Sequence, residues 1–200
     1  MPDGLDLVDA AALPLVTLTG SQLVDESLAP LPSQVILVTG ALGSVGRTAI
    51  FAAKGRGVKV WAGVRGSQRE AAQALGADGV VALDDEVDRR RLPTLDGIAD
   101  TVGASVTEGL LDRVRRGGVV ASVASDPKGA HERGLEVRHH WAHPDPERLA
   151  RLVRAVAEGA LVIPIAKRFP LAQIREAQQF AEQGAGGKVI VRVSERLRDP

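Results

Sequence analysis

The chain has 200 residues, 44% of them hydrophobic, which suffices for one large α/β core with or without a small appendage. Its 25 acidic and 25 basic side chains cancel, excluding the broad positive field of a nucleic-acid or anionic-membrane binder, and no apolar stretch approaches the length of a membrane span. Cysteine is absent, which removes disulfides, thiolate nucleophiles and cysteine zinc sites together, and tyrosine is absent as well.

In chain order, the acidic start Met1-Pro2-Asp3-Gly4-Leu5-Asp6 lacks the basic end of a signal peptide, so a cytoplasmic protein is expected. Apolar spacing at Leu7, Ala11, Leu15, Leu18 and Leu23 predicts a helical lead-in interrupted near Pro14, followed by a loop over 28–33. The run Val35-Ile36-Leu37-Val38, bounded by Pro32 and Gly40, reads as a strand covered on both faces, and a small-residue helix follows over 44–54. Further strands are predicted at 58–63, 80–83, 97–100, 119–123 and 135–140, with helical segments at 67–75, 85–91 and 106–114. Leu149, Leu152, Val153 and Val156 mark one face of a helix ending at Gly159. Six strands with short crossovers predict a doubly wound parallel Rossmann sheet with helices on both faces. Its ligand crevice should open beside the first and fourth strands, where the strand order reverses. Beyond Gly159 the chain reads as extended over 161–168, helical over 171–182 and strand over 188–193, a tail too short for a core of its own. The expected organisation is a lead-in at 1–33, a dinucleotide-binding domain at 34–160 and a tail at 161–200.

The first strand runs into Gly40, Gly43 and Gly46, spaced every third residue. A side chain at Gly43 would hold the backbone away from a pyrophosphate, and one at Gly46 would wedge the helix off the strand. The helix would aim free N–H groups and its positive dipole end at the phosphates. A tight strand-to-helix turn without a ligand gives the same spacing. In NAD binders an acid at the end of the second strand receives the ribose 2′-OH, whereas here Trp61-Ala62-Gly63-Val64-Arg65-Gly66-Ser67-Gln68-Arg69 carries no acid before Glu70. Arg65, with Arg69 one turn later, suits a 2′-phosphate instead, so NADP(H) is the cofactor expected; two ordinary surface arginines are the alternative.

Residues 39–46 resemble the glycine turn of extended short-chain dehydrogenases, but the usual chemistry of that family needs a tyrosine. A larger part of the chain resembles the zinc-independent, quinone-oxidoreductase-like medium-chain dehydrogenases and reductases. The matching pieces are the Ala10 to Thr19 stretch, the Gly40 to Gly46 turn, Leu75-Gly76-Ala77-Asp78, Asp100-Thr101-Val102-Gly103, Gly117-Gly118-Val119-Val120, and the tail pieces Phe169-Pro170-Leu171, Glu176-Ala177 and Gly186-Gly187-Lys188-Val189-Ile190. The chain departs from that pattern in starting where a barrel-like N-terminal domain should already have ended. It also has Ala104 where a second glycine is common.

The resemblance implies hydride transfer from a reduced nicotinamide to an electron-poor carbon of a small quinone or enone. It implies that Val102, Gly103 and Ala124 flank the nicotinamide end, that Gly43, Ser44 and Val45 line the pyrophosphate, and that Thr19 adds a hydroxyl. Helix capping is the alternative role for Thr19 and Ser44. The resemblance also implies a homodimer through the sixth strand. No proton donor is evident, so the catalytic residues stay unassigned, and an NADPH-binding or sensing module without turnover is the alternative function. His139-His140-Trp141-Ala142-His143 could suggest a metal, but on a strand His139 and His143 stand roughly 13 Å apart, and no metal is expected.

Overall fold

The computed structural model describes residues 5–194. Its lead-in forms α1 (Leu7–Ala10), capped by the Asp6 carboxylate, and α2 (Pro14–Gln22), which Pro14 opens where a missing N–H leaves no bond unmade. A π-helical turn, Leu23–Leu28, continues α2 and ends at Ala29 in the left-handed region. Leu23, Val24 and Leu28 are buried in that turn, in the same core as the sheet.

Then come β1 (Val35–Thr39), α3 (Ser44–Gly55), β2 (Lys59–Val64), α4 (Arg69–Ala72), β3 (Gly79–Ala82), α5 (Glu86–Arg89), β4 (Leu95–Asp100), α6 (Ala104–Thr107), β5 (Val114–Ser122), β6 (Glu136–His139) and α7 (Pro146–Ala157). The six strands form one parallel sheet in the order β3-β2-β1-β4-β5-β6, the doubly wound arrangement that the alternation of strands and helices predicts. The order reverses between β1 and β4, so the crevice lies above the carboxyl ends of those two strands.

Alternation along β1 splits the core into two layers. Ile36 and Val38 face α3 and the lead-in, packing with Ala49, Ile50 and Ala53, while Leu37 faces the opposite layer with Ile98, Leu110, Leu111 and Val120. Burial on both faces is why these strands read as continuous apolar runs. A third cluster joins Leu13, the residue before α2, and Val16 of α2 to Leu152 and Ala155 of α7.

Two segments depart from the sequence pattern. The helix predicted at 67–75 is a mixed turn, with 3₁₀ segments Gly66–Gln68 and Gln73–Leu75 on either side of α4. The one predicted at 106–114 is α6 followed by the 3₁₀ segment Glu108–Arg113, and β5 begins at Val114. The earlier half of β5, Val114-Arg115-Arg116-Gly117-Gly118, carries no apolar run, with Gly117 at φ +73°, and the register against β4 shifts between Leu95 and Gly97. The tail forms β7 (Ile165–Pro170), α8 (Ile174–Glu182) and β8 (Lys188–Arg192), with the two strands parallel to each other in a separate sheet. Phe169 of β7 and Phe180 of α8 meet as tilted rings with centroids 5.9 Å apart, and Lys167 Nζ lies over both.

The turn between β1 and α3 is set by two close approaches. Gly40 has φ +61°, and a Cβ there would lie 2.6 Å from Thr101 Oγ1. A Cβ at Gly46 would lie 2.3 Å from the Gly40 carbonyl oxygen and 2.9 Å from Ala41 Cα, atoms of the backbone that cannot swing aside. At Gly43 it would meet only the Gly40 carbonyl, at 3.2 Å. Gly46→Ala is therefore expected to lower the unfolding free energy by about 2–3 kcal/mol, and Gly43→Ala by less than about 1 kcal/mol, measured by urea denaturation. Equal losses in the two variants would contradict this account of the turn.

Candidate cofactor site

At the carboxyl ends of β1, β4 and β5, one polar residue closes each apolar strand: Thr39, Asp100 and Ser122, all fully buried. They form one hydrogen-bonded unit around the Asp100 carboxylate. Oδ1 accepts from Thr39 Oγ1 at 2.7 Å and from the backbone N–H groups of Val102 and Gly103 at 3.1 Å each, and Oδ2 accepts from Ser122 Oγ at 2.9 Å. Thr39 Oγ1 in turn accepts the Thr101 N–H at 3.0 Å, and Ser122 Oγ accepts the Ala124 N–H at 3.1 Å. A charge out of water is tolerated when its lone pairs are filled, and here they are filled by the loops that must be held in place.

These bonds gather the residues expected at the nicotinamide end. A Cβ on Gly40 would come 2.9 Å from Val102 Cγ2, and one on Gly103 would come 3.6 Å from Ala124 Cβ, so the three loops meet side by side. Val102 is half exposed, a valine facing the crevice rather than the core. Gly103 sits at φ +127°, which a side chain rarely adopts, and its follower Ala104 donates its N–H to Ser125 Oγ at 3.0 Å. Alanine is accommodated there at an ordinary helical position, the first of α6.

The pyrophosphate end is the start of α3. Gly43 occupies the cap position with no capping side-chain bond, and Ser44 is the first helical residue, so Ser44 is not the cap. Gly20 of α2 packs against this turn, where a Cβ would lie 2.4 Å from the Val45 carbonyl oxygen. Its neighbour Thr19 is buried, and its hydroxyl donates to the Leu15 carbonyl at 2.6 Å inside α2, so Thr19 is not a cap either.

The two arginines expected at a 2′-phosphate stand differently. Arg65, just past β2, is exposed and forms no ion pair among the described residues; its backbone N–H is held by Gln68 Oε1 at 3.2 Å. Arg69 is bonded to Asp88, a buried carboxylate that also accepts the Ala82 N–H at 2.6 Å. Asp84, at the end of the next strand, accepts the Gly66 N–H at 2.7 Å, which sets an acid beside Arg65 that linear spacing does not disclose.

The histidines diverge. His139 Nδ1 lies 3.4 Å from Asp126, His140 Nδ1 lies 2.8 Å from Ser27 Oγ, and His143 Nε2 lies 2.8 Å from Glu26. Burial pushes the His140 pKa below its ordinary value, while the hydrogen bond to Glu26 raises that of His143. Among the described residues no three potential ligands converge on a point.

The fold is a doubly wound Rossmann-type sheet whose crevice opens where the strand order reverses between β1 and β4. Residues 75–191 match the model of the zinc-binding dehydrogenase family, and the chain belongs to that family as its cofactor-binding half. The alcohol dehydrogenase notN of an Aspergillus species is 31% identical over 170 residues, covering 80% of this chain and 48% of that protein. The polyketide synthase GfsB of Streptomyces halstedii is 24% identical over 214 residues, covering all of this chain and 4% of that protein. The quinone oxidoreductase of Coxiella burnetii superimposes with a TM-score of 0.83 at 24% identity, over 96% of this chain and 63% of that one, a likeness of fold. The chain thus spans less than two thirds of the length of each of these proteins. The metal in the family's description does not fit these residues, which offer neither cysteine nor a converging donor set.

Asp100→Asn replaces an acceptor of four hydrogen bonds by a side chain with two donors of its own. Urea denaturation should show a loss of roughly 2–4 kcal/mol, and a loss below about 1 kcal/mol would remove Asp100 from its organising place.

Proposed function

We propose that this chain is the NADPH-binding portion of a reductase that delivers hydride to an electron-poor carbon of a quinone or enone. The observation that carries the reading is the pairing of an uncapped helix start at Gly43 with an unpaired Arg65 at the far end of the same crevice. Gly43, Ser44 and Val45 would hold the pyrophosphate through backbone N–H groups, and Arg65 would fork onto the 2′-phosphate. Val102, Gly103 and Ala124 would flank the nicotinamide, whose chemistry when bound is hydride donation. Membership of the family, the fold of a quinone oxidoreductase and the similarity to a polyketide synthase support an activated carbonyl compound as acceptor. Dependence on a soluble cofactor pool favours the cytoplasm as the place of action.

Arg69 would contribute to the 2′-phosphate only by leaving Asp88, so Arg65 bears most of the preference. Asp84 favours a second reading, NADH, by offering a ribose 2′-OH an acceptor near Gly66. Titration of both cofactors separates the two. NADPH is expected to bind more tightly than NADH, and Arg65→Ala is expected to weaken NADPH alone by about tenfold to a hundredfold. Equal affinities in the wild type would sink the NADPH assignment. Because the chain spans less than two thirds of the length of the proteins it matches, oxidation of NADPH by phenanthrenequinone or a short alkenal is expected to stay near the uncatalysed rate in this chain alone, since positioning is worth on the order of 7–11 kcal/mol at best. Tight binding without turnover is also what a sensing module would show, and rapid saturable turnover excludes that module.

We also propose a homodimer through β6. This strand ends the sheet and is bonded to β5 alone, and Trp141, two residues past its end, is 80% exposed. The His140 N–H points inward to the Ser122 carbonyl at 2.8 Å, so alternation turns the Val137 N–H outward. Val137→Pro should therefore leave the sheet intact and shift sedimentation towards monomer. Monomeric wild type at micromolar concentration would contradict the proposal.

A further inference from the structure

Arg47 lies in the first turn of α3, where it is the sole cation. That is an unfavourable place for it in the free protein. The unpaired N–H groups and aligned peptide dipoles at a helix start already amount to about half a positive elementary charge. Nothing nearby offsets the arginine: the first turn carries no acid, Gly43 offers no capping side chain, and Arg47 forms no ion pair with any described residue. Further along the same helix and just beyond it, cations are matched, Lys54 to Asp78 at 2.9 Å and Arg56 to Asp25 at 3.4 Å.

The side chain is also aimed. Its Nε donates to the Leu42 carbonyl at 3.0 Å, folding the guanidinium back over the glycine turn, the direction in which helical side chains lean. The Nη nitrogens have no acceptor among the described residues. Partial burial pulls the pKa below the usual arginine value, which raises the cost of leaving the charge without an anion.

Resting on the dinucleotide reading above, we propose that Arg47 is a pyrophosphate-binding residue, its Nη nitrogens donating to the phosphate oxygens held over Gly43, Ser44 and Val45. Arg65 would then distinguish NADPH from NADH, and Arg47 would serve both equally, because the pyrophosphate is common to them. An arginine with a merely structural role would do the reverse of what a ligand-binding one does to the free protein, and that difference makes the assignment testable.

The test is titration of NADPH, NADH and ADP-ribose against wild type, Arg47→Gln and Arg47→Lys, with melting of each protein without ligand. Arg47→Gln is expected to weaken all three by a similar factor of about ten or more, while its ligand-free melting temperature stays the same or rises by about 1–3 °C. Arg47→Lys, which keeps the charge, should recover part of the lost affinity. Affinities of Arg47→Gln within twofold of wild type would overturn the proposal, whether or not the variant melts lower. A loss confined to NADPH would overturn it too, by moving Arg47 to the 2′-phosphate. Wild type that binds none of the three ligands would instead overturn the dinucleotide reading, and the assignment with it.

Discussion

A carboxylate buried away from water is stable only when its oxygens are surrounded by donors, and in this protein that requirement shapes the crevice. Asp100 takes two hydroxyl and two backbone donors, one hydroxyl each from β1 and β5 and both backbone groups from the loop that follows its own strand. The strands alone would fix the loops only at their roots. The carboxylate fixes them two or three residues further out, at Val102, Gly103 and, through Ser122, Ala124. The ends of β1, β4 and β5 are thereby tied into a single rim, which would suit the proposed role of positioning a reactive ring.

The rim depends on close backbone approach as much as on charge. Gly46 lets α3 start directly over β1, and Gly20 lets α2 sit against the first turn of α3, each at a distance where a methyl group would overlap backbone atoms. The lead-in is for that reason part of the site's foundation: Gly20 sets the position of the α3 start from outside while Leu23, Val24 and Leu28 anchor the following turn in the core.

The sheet was legible in the sequence because its strands are buried on both faces, and uninterrupted apolar runs such as Val35 to Val38 leave little freedom of assignment. Legibility failed where the apolar signal is missing, as at Arg115, Arg116, Gly117 and Gly118 in β5, and where short 3₁₀ turns flank a single α-helical turn instead of one continuous helix, as at 67–75. Within the site, the glycine turn could be read because each glycine is a local steric demand. Thr39, Asp100 and Ser122 are not legible as a set, although each is a polar residue that ends a buried apolar stretch of its strand. Their meaning comes from lying on neighbouring strands, Ser122 beside Asp100 in register, and linear spacing does not carry that information. The pairing of Arg69 with Asp88 and the place of Asp84 beside Gly66 are hidden for the same reason.

Charge adds a last constraint. The chain is neutral in total, with 25 residues of each sign, yet the two ends of the crevice are not neutral locally. Arg47 at the start of α3 and Arg65 past β2 have no ion-pair partner among the described residues, while Arg69, the cation nearest Arg65 in sequence, is tied to an acid. Neutrality overall keeps long-range attraction for polyanions weak, so on the proposed reading an anion would be selected by these local charges rather than by the field of the whole surface. A single phosphate could satisfy one of them. A ligand with phosphates at two separated points would satisfy both, with the uncapped helix start contributing to the nearer group, and the dinucleotide proposed above, phosphorylated on its adenosine ribose, has that charge distribution.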